Sequence, residues 1–169
     1  VWRGEPSILV IMRDITERSR MERDLRRSEE RFRAIFEGAL DAIFILDPET
    51  GRILDANPAA SELLLRDDEE IVDRHYLEFF PADWKRTVRE AYESLFEEEE
   101  RIVAVEVSME RSDASEVPVE VLGQLIQIDG VPFIHALARD ITDRKRMDKN
   151  LRDSEEQFRT LAEAALTGI

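Results

Sequence analysis

The chain has no cysteine. It can form no disulfide, present no thiolate nucleophile and offer no cysteine-ligated metal. It has no run of about 18 apolar residues, so no stretch reads as a membrane span. Only two histidines occur, His75 and His135, isolated from each other in sequence. Neither a glycine-rich phosphate loop nor an HExxH pattern is present. Positive charge is also short: 24 Lys and Arg stand against 39 Asp and Glu, a net charge of −15. Such a surface repels nucleic-acid phosphates and anionic membranes. Nucleic acid and direct membrane contact are therefore not expected, nor is any catalytic residue or metal site. Loose carboxylate pairs such as Asp67-Asp68 read as helix-start charges. The run Glu97–Glu100 reads as a solvated helix end.

What is present is a repeat. The tetrapeptide RDIT occurs at Arg13–Thr16 and again at Arg139–Thr142. Aligned without a gap, Gly4–Ile43 and Gly130–Ile169 agree at 21 of 40 positions. A period this long suits tandem domains rather than a solenoid. The organisation expected is the last strand of a preceding repeat at 1–13, a coiled-coil linker helix at 14–38 and a complete domain at 39–142. Residues 143–169 then give a second linker helix and the start of the next repeat. A domain of this size can bury one modest core.

Both linkers carry the same stripe. Met21, Leu25, Ser28, Phe32, Ile35 and Ala39 recur at alternating spacings of four and three, as do Met147, Leu151, Ser154, Phe158, Leu161 and Ala165. That is the a/d pattern of a heptad. Glu22–Arg26 and Glu29–Arg33 add supportive i,i+4 pairs. Asp14 and Asp140 read as helix-start acceptors. Two readings stay open for the stripe: a helix packed on its own domain, or a parallel two-stranded coiled coil. In the second, Met21, Leu25, Phe32 and Ile35 form a homodimer interface.

Between the linkers the period changes. Asp41–Asp47 is a short apolar strand, Pro48–Gly51 a turn and Arg52–Ala56 the returning strand. Asn57-Pro58 starts a helix, with Asn as cap and Pro in the first turn. A short helical segment anchored by Ile71 follows, then the aromatic stretch His75–Trp84. Trp84, Val88, Ala91 and Leu95 predict a helix running to about Glu98. Val103, Val105, Val107 and Met109 alternate on one strand, and Val117, Val119 and Val121 on the next. Ser112–Ser115 turns the chain between them. Asp129-Gly130 makes the last turn before a strand over 131–138. Segregated strands and helices predict an α+β fold, a five-stranded antiparallel sheet with helices on one face and long linker helices flanking it.

The segments GRILDANPAASELL (51–64), SDASEVPVEV (112–121), IDGVPFIHALARDIT (128–142) and LRDSEEQFR (151–159) together resemble a PAS domain. One departure is Ala114, where the family usually has glycine in the turn. The resemblance implies a sensory and relay module of a multidomain signalling protein, such as a sensor histidine kinase of a two-component system. It implies neighbouring PAS and output domains in the parent chain, a cytoplasmic location with a parent that could be membrane-anchored, and no catalysis by this segment. The relay would run through Asn57, Arg139, Asp140 and Thr142, since Asp140 ends the last strand and begins the next helix with no spacer. The alternative is a ligand-free module that only dimerises and spaces.

PAS domains hold a small molecule or cofactor between sheet and helices, or hold none. Candidate pocket residues are Phe44, Phe80, Tyr92, Gln124 and His135, with Leu64, Val88, Val105, Val121, Leu125 and Ile134 as further lining groups. The simpler reading is that all of these are plain core. The ligand is not identified. Haem is disfavoured, because Asp83–Phe96 lacks the axial histidine that haem-binding PAS domains carry on their long helix. Cysteine-based flavin photochemistry is excluded by the missing cysteine.

Overall fold

A computed structural model describes residues 16–97 and 101–168. The strand expected at 1–13, Asp14, and Glu98–Glu100 of the acidic run lie outside the described residues. The chain divides after Gly38 into two units. In the first, the described element is helix α1 (Thr16–Gly38), in which Phe32 and Phe36 stack at 5.5 Å.

The second unit begins with the hairpin β1 (Ala42–Leu46) and β2 (Ile53–Ala56). Its turn is built by local bonds. The Asp47 carboxylate accepts from the Glu49 N–H and the Thr50 hydroxyl, both at 2.8 Å, and these bonds hold its pKa below the usual carboxylate value. Gly51 sits at φ +66, and a Cβ there would lie 3.0 Å from the His75 and Tyr76 rings. Glycine is therefore needed for both backbone and space.

Helix α2 (Pro58–Leu64) follows, capped by Asn57 as its sequence predicts. Next come α3 (Asp68–Ile71), a 3-10 turn at Tyr76–Phe79, and α4 (Lys85–Ser94). Helix α4 stops short of the expected Glu98. The chain tightens there: Leu95 N–H reaches Tyr92 O and Phe96 N–H reaches Glu93 O. This tighter turn seats Leu95 in the core, at 3% exposure.

Three long strands complete the unit: β3 (Ile102–Glu110), β4 (Glu116–Ile128) and β5 (Val131–Asp140). The sheet order is β2-β1-β5-β4-β3, and every pairing is antiparallel. Asp129 and Gly130 join β4 to β5 with φ of 51° and 80°. Two positive φ values in a two-residue turn match the twist of the flanking strands. The β3–β4 turn places Ala114 at φ 62. The positive φ that glycine would suit is thus retained, and alanine bears the strain.

One sheet face is apolar and covered by the helices. Val107, Met109, Val117, Val119, Phe44, Leu46, Ile134 and Ala138 point to it and are buried with Ile71, Phe79 and Leu64. Helix α5 (Thr142–Thr167) leaves the end of β5. Strand β5 ends at Asp140, where Arg139 and Asp140 still pair with Glu120 and Val119.

Candidate functional site

Two places carry functional geometry: the joint between β5 and α5, and a cavity between sheet and helices.

At the joint one residue, Ile141, separates strand from helix, where the sequence suggested none. Its side chain is buried at 3% exposure, its N–H donates to Pro118 O on β4 at 3.0 Å, and its carbonyl accepts from Lys145 N–H at 2.9 Å. Ile141 is therefore fixed to the sheet on one side and to the first turn of α5 on the other. Asp140 Oδ1 accepts the Thr142 N–H at 2.8 Å, satisfying one of the free donors at a helix start. Thr142 contributes its main-chain donor rather than a side-chain contact. Arg111 on the β3–β4 turn faces Asp140 at 3.8 Å and donates its Nε to Leu63 O at 2.9 Å.

Charges brace the first turn of α5 on the other sheet face. Glu106, Glu120 and Arg139 lie side by side on β3, β4 and β5. Arg144 reaches Glu106 and, at 3.7 Å, Glu120; Lys145 reaches Glu106 at 3.4 Å. Beyond this turn the described residues of α5 are all exposed. Met147, Leu151, Phe158 and Leu161 stand 62–73% exposed. The equivalent stripe of α1, with Met21, Leu25, Phe32 and Ile35, is likewise exposed.

Asn57 lies at the other end of the same network. It is almost wholly buried, at 1% exposure. Its Oδ1 accepts from Ile43 N–H at 2.8 Å and from Ala60 N–H at 3.1 Å, while its Nδ2 donates to Asp41 O at 3.1 Å. Asp41 in turn binds Arg139. Asp41 is the member of this network that the sequence did not reveal.

The cavity has a volume of about 80 Å³. Phe44 and Leu46 of β1 and Ile53 of β2 form one side; Tyr76, Phe79, Phe80, Val88, Ala91, Tyr92 and Leu95 come from the helical layer. The floor is Val103, Val105, Met109, Val121, Gly123, Ile134, Ala136 and Ala138. Of the expected pocket residues, Phe44, Phe80 and Tyr92 line it, as do Val88, Val105, Val121 and Ile134. Leu64 is core, and Leu125 packs against the core, but neither is part of the wall.

Gln124 and His135 do not line it, and their placement corrects the expectation. They pair with each other across β4 and β5, each one residue out of phase with the cavity-lining Gly123, Ile134 and Ala136. Side chains alternate along a strand, so both point to the opposite sheet face. Partial burial there lowers the His135 pKa and keeps the ring neutral near pH 7.

Tyr76, which the sequence reading passed over, stacks on Tyr92 at 4.6 Å, and His75 stacks on Tyr76 at 4.7 Å. The Tyr92 hydroxyl donates to Pro48 O at 2.9 Å on the β1–β2 turn. Burial, then the neighbouring Tyr76 and Asp47, push its pKa up to about 12. The wall holds no histidine that could ligate a haem, and its volume is far below the roughly 300–1,000 Å³ of sites for larger ligands. Among the described residues no group of three or more His, Cys, Asp or Glu could hold a metal ion. Among the same residues no helix is long and apolar enough to cross a membrane.

Comparison with known proteins agrees with this architecture. The chain is 31% identical over 148 residues to sporulation kinase E of Bacillus subtilis, covering 87% of this chain and 19% of that protein. It is 31% identical over 124 residues to a methyl sulfide methyltransferase-associated sensor of Methanosarcina acetivorans, covering 73% of this chain and 12% of the sensor. The chain thus spans less than a fifth of the length of these relatives. Among solved structures, the PAS domain of an HTR-like protein from Haloarcula marismortui superposes with a TM-score of 0.61 at 28% identity, over 73% of this chain and 99% of that one. The model of the PAS fold matches residues 30–141, and with the five-stranded sheet described above this chain belongs to the PAS family.

Proposed function

We propose that the chain is a sensory and signal-relay module of a larger signalling protein, passing a change in its core to α5 through the joint at Arg139–Thr142. The observation that carries this is Ile141, the one residue between β5 and α5, buried and bonded to both β4 and the helix. A shift of β4 or β5 has no slack in which to dissipate before it reaches α5. The names of the two relatives, a kinase and a sensor, support a signalling role for the parent protein. On this reading residues 39–142 form the module, 14–38 and 143–169 contribute linkers, and 1–13 end a preceding repeat. Catalysis belongs to an output domain elsewhere in the parent, a histidine kinase being the best supported, in the cytoplasm.

The stripes on α1 and α5 are assigned to parallel pairing with a second copy. Each presents large apolar side chains at heptad spacing to solvent, and a serine interrupts each seam. Such a coil is weak and able to shift register. A ligand-free module that only dimerises is the second reading, supported by the same stripes, which need no ligand to pair. Sedimentation of the chain and of the Leu25→Glu, Phe32→Glu double variant tests the pairing. The wild-type chain should self-associate in the micromolar range, and the variant should be monomeric with its sheet signal unchanged. A variant that stays dimeric would move the interface off the α1 stripe.

A further inference from the structure

We infer that the cavity between sheet and helices binds a small, uncharged and almost purely apolar molecule, no larger than a single six-membered ring with one methyl group. The inference rests on the sensory reading above and names the class of ligand for that site.

Size sets the first limit. At about 80 Å³ the cavity is smaller than the ~150 Å³ apolar cavity that accommodates benzene in an engineered protein core, so a single small ring with modest relaxation of the wall is the upper bound. Charge sets the second. No Asp, Glu, Lys, Arg or His faces the cavity, and an ion brought into such a wall would be neither solvated nor paired. Carboxylates, ammonium compounds and phosphates are therefore rejected.

Hydrogen bonding sets the third limit, and it is the least obvious. The wall contains two tyrosines, which would ordinarily supply polar handles. The Tyr92 hydroxyl instead gives its proton to Pro48 O at 2.9 Å, with Asp47 O at 3.4 Å beside it. It is committed to the β1–β2 turn, and the tyrosine offers the cavity its ring. The strand backbones forming the floor are paired within the sheet. Tyr76 supplies no handle either, since almost no polar atom of the wall faces the cavity; a ligand hydroxyl or amide would lose its water partners and gain next to none, a cost of roughly 1–3 kcal/mol per group in proteins.

Small residues keep the space open. Gly123 and Ala136 are paired on the floor, and Leu95 lies opposite, with its methyl carbons 3.5 Å from the position of a Cβ on Gly123. A larger side chain at Ala136 would occupy volume that a ligand needs, while leaving the sheet pairing intact.

The test uses the whole chain and five probes of similar size: benzene, toluene, phenol, benzoate and benzylammonium. Binding is followed by the thermal midpoint and by amide chemical shifts. Benzene and toluene should raise the midpoint in a saturable way, with shifts centred on β1, α4 and β5. Phenol should bind at least tenfold more weakly, and benzoate and benzylammonium should give no saturable shift. Ala136→Val should weaken toluene binding at least tenfold while remaining folded. Gly123→Ala, a smaller change with ordinary contacts, supplies the comparison if Ala136→Val does not fold. Equal binding of benzoate and toluene would overturn the inference, as would failure of both hydrocarbons to bind the folded chain. Undiminished toluene binding in both variants would also overturn it. If the hydrocarbons fail while the Leu25→Glu, Phe32→Glu variant still abolishes self-association, the ligand class falls and the ligand-free dimerising module becomes the supported reading.

Discussion

Arg139 binds Asp41 across 98 residues of sequence, its Nε 3.1 Å and its terminal nitrogen 2.8 Å from the same carboxylate oxygen. The pair clasps the end of β5, from which α5 departs, to the start of β1. The Asp41 carbonyl meanwhile takes a bond from Asn57. One aspartate thus joins the exit strand to the capped helix α2. Both side chains keep contact with water, so the clasp holds position more than it stabilises. In a double-mutant cycle with Asp41→Ala and Arg139→Ala, coupling should be small and should shrink further in 1 M salt, where screening acts within about 3 Å. Coupling that persists in high salt would show the pair to be shielded.

Asn57 should matter more than an ordinary cap. A cap lost to alanine costs about 0.5–2 kcal/mol. Here Asn57→Ala also strips the side-chain partner from the partly buried Ile43 N–H, adding up to about 1–3 kcal/mol for a donor left without its bond. The expected loss is about 1.5–5 kcal/mol, read from the urea midpoint at unchanged slope. A loss under about 1 kcal/mol would mean that the Ile43–Asn57 junction relaxes.

Ala114→Gly should stabilise the domain by about 0.5–1 kcal/mol. Ala114 holds φ 62, a left-handed conformation that costs an L-residue roughly 1–2 kcal/mol, partly offset by glycine's greater unfolded-state entropy. Thermal or urea unfolding of the single variant suffices to check it.

Tyr92 gives the domain an alkaline limit. Its folded pKa, about 12, lies above the ordinary tyrosine value of 10.0. A raised pKa means the neutral form is favoured by folding. That stabilisation is complete below pH 10 and is lost as pH rises from 10 towards 12. Tyr92→Phe should flatten the fall in stability over that window. It should not abolish it, because Tyr76 is shifted the same way by burial. The fall measured by urea midpoints from pH 9 to 11.5 is the readout.

Most of the fold was legible because its signals are local and periodic. Asn57-Pro58, Asp129-Gly130 and the alternating valines of β3 and β4 each specify an element within a few residues. The same period of two held the answer for Gln124 and His135. Each adjoins a cavity-facing position, and counting parity from Val121 and Ile134 places both on the far face. The Asp41–Arg139 clasp had no such signal, since it depends on β5 pairing with β1 across most of the chain. Tyr76 was hidden for a related reason: its role comes from stacking on Tyr92 of another element. The end of α4 was set by where Leu95 finds the core, which helix periodicity alone does not encode.

In the proposed relay, the single-residue joint at Ile141 would make α5 a lever. Its 26 residues extend about 39 Å at ~1.5 Å per residue, and only the first turn is braced against the sheet. A pivot of ~5° at that brace carries the far end through about 3 Å, more than half the ~5.4 Å pitch of an α-helix. The same pivot moves Phe158 and Leu161, about 24 and 29 Å along the helix, by roughly 2–2.5 Å, so a displacement too small to disturb the sheet grows along the stripe.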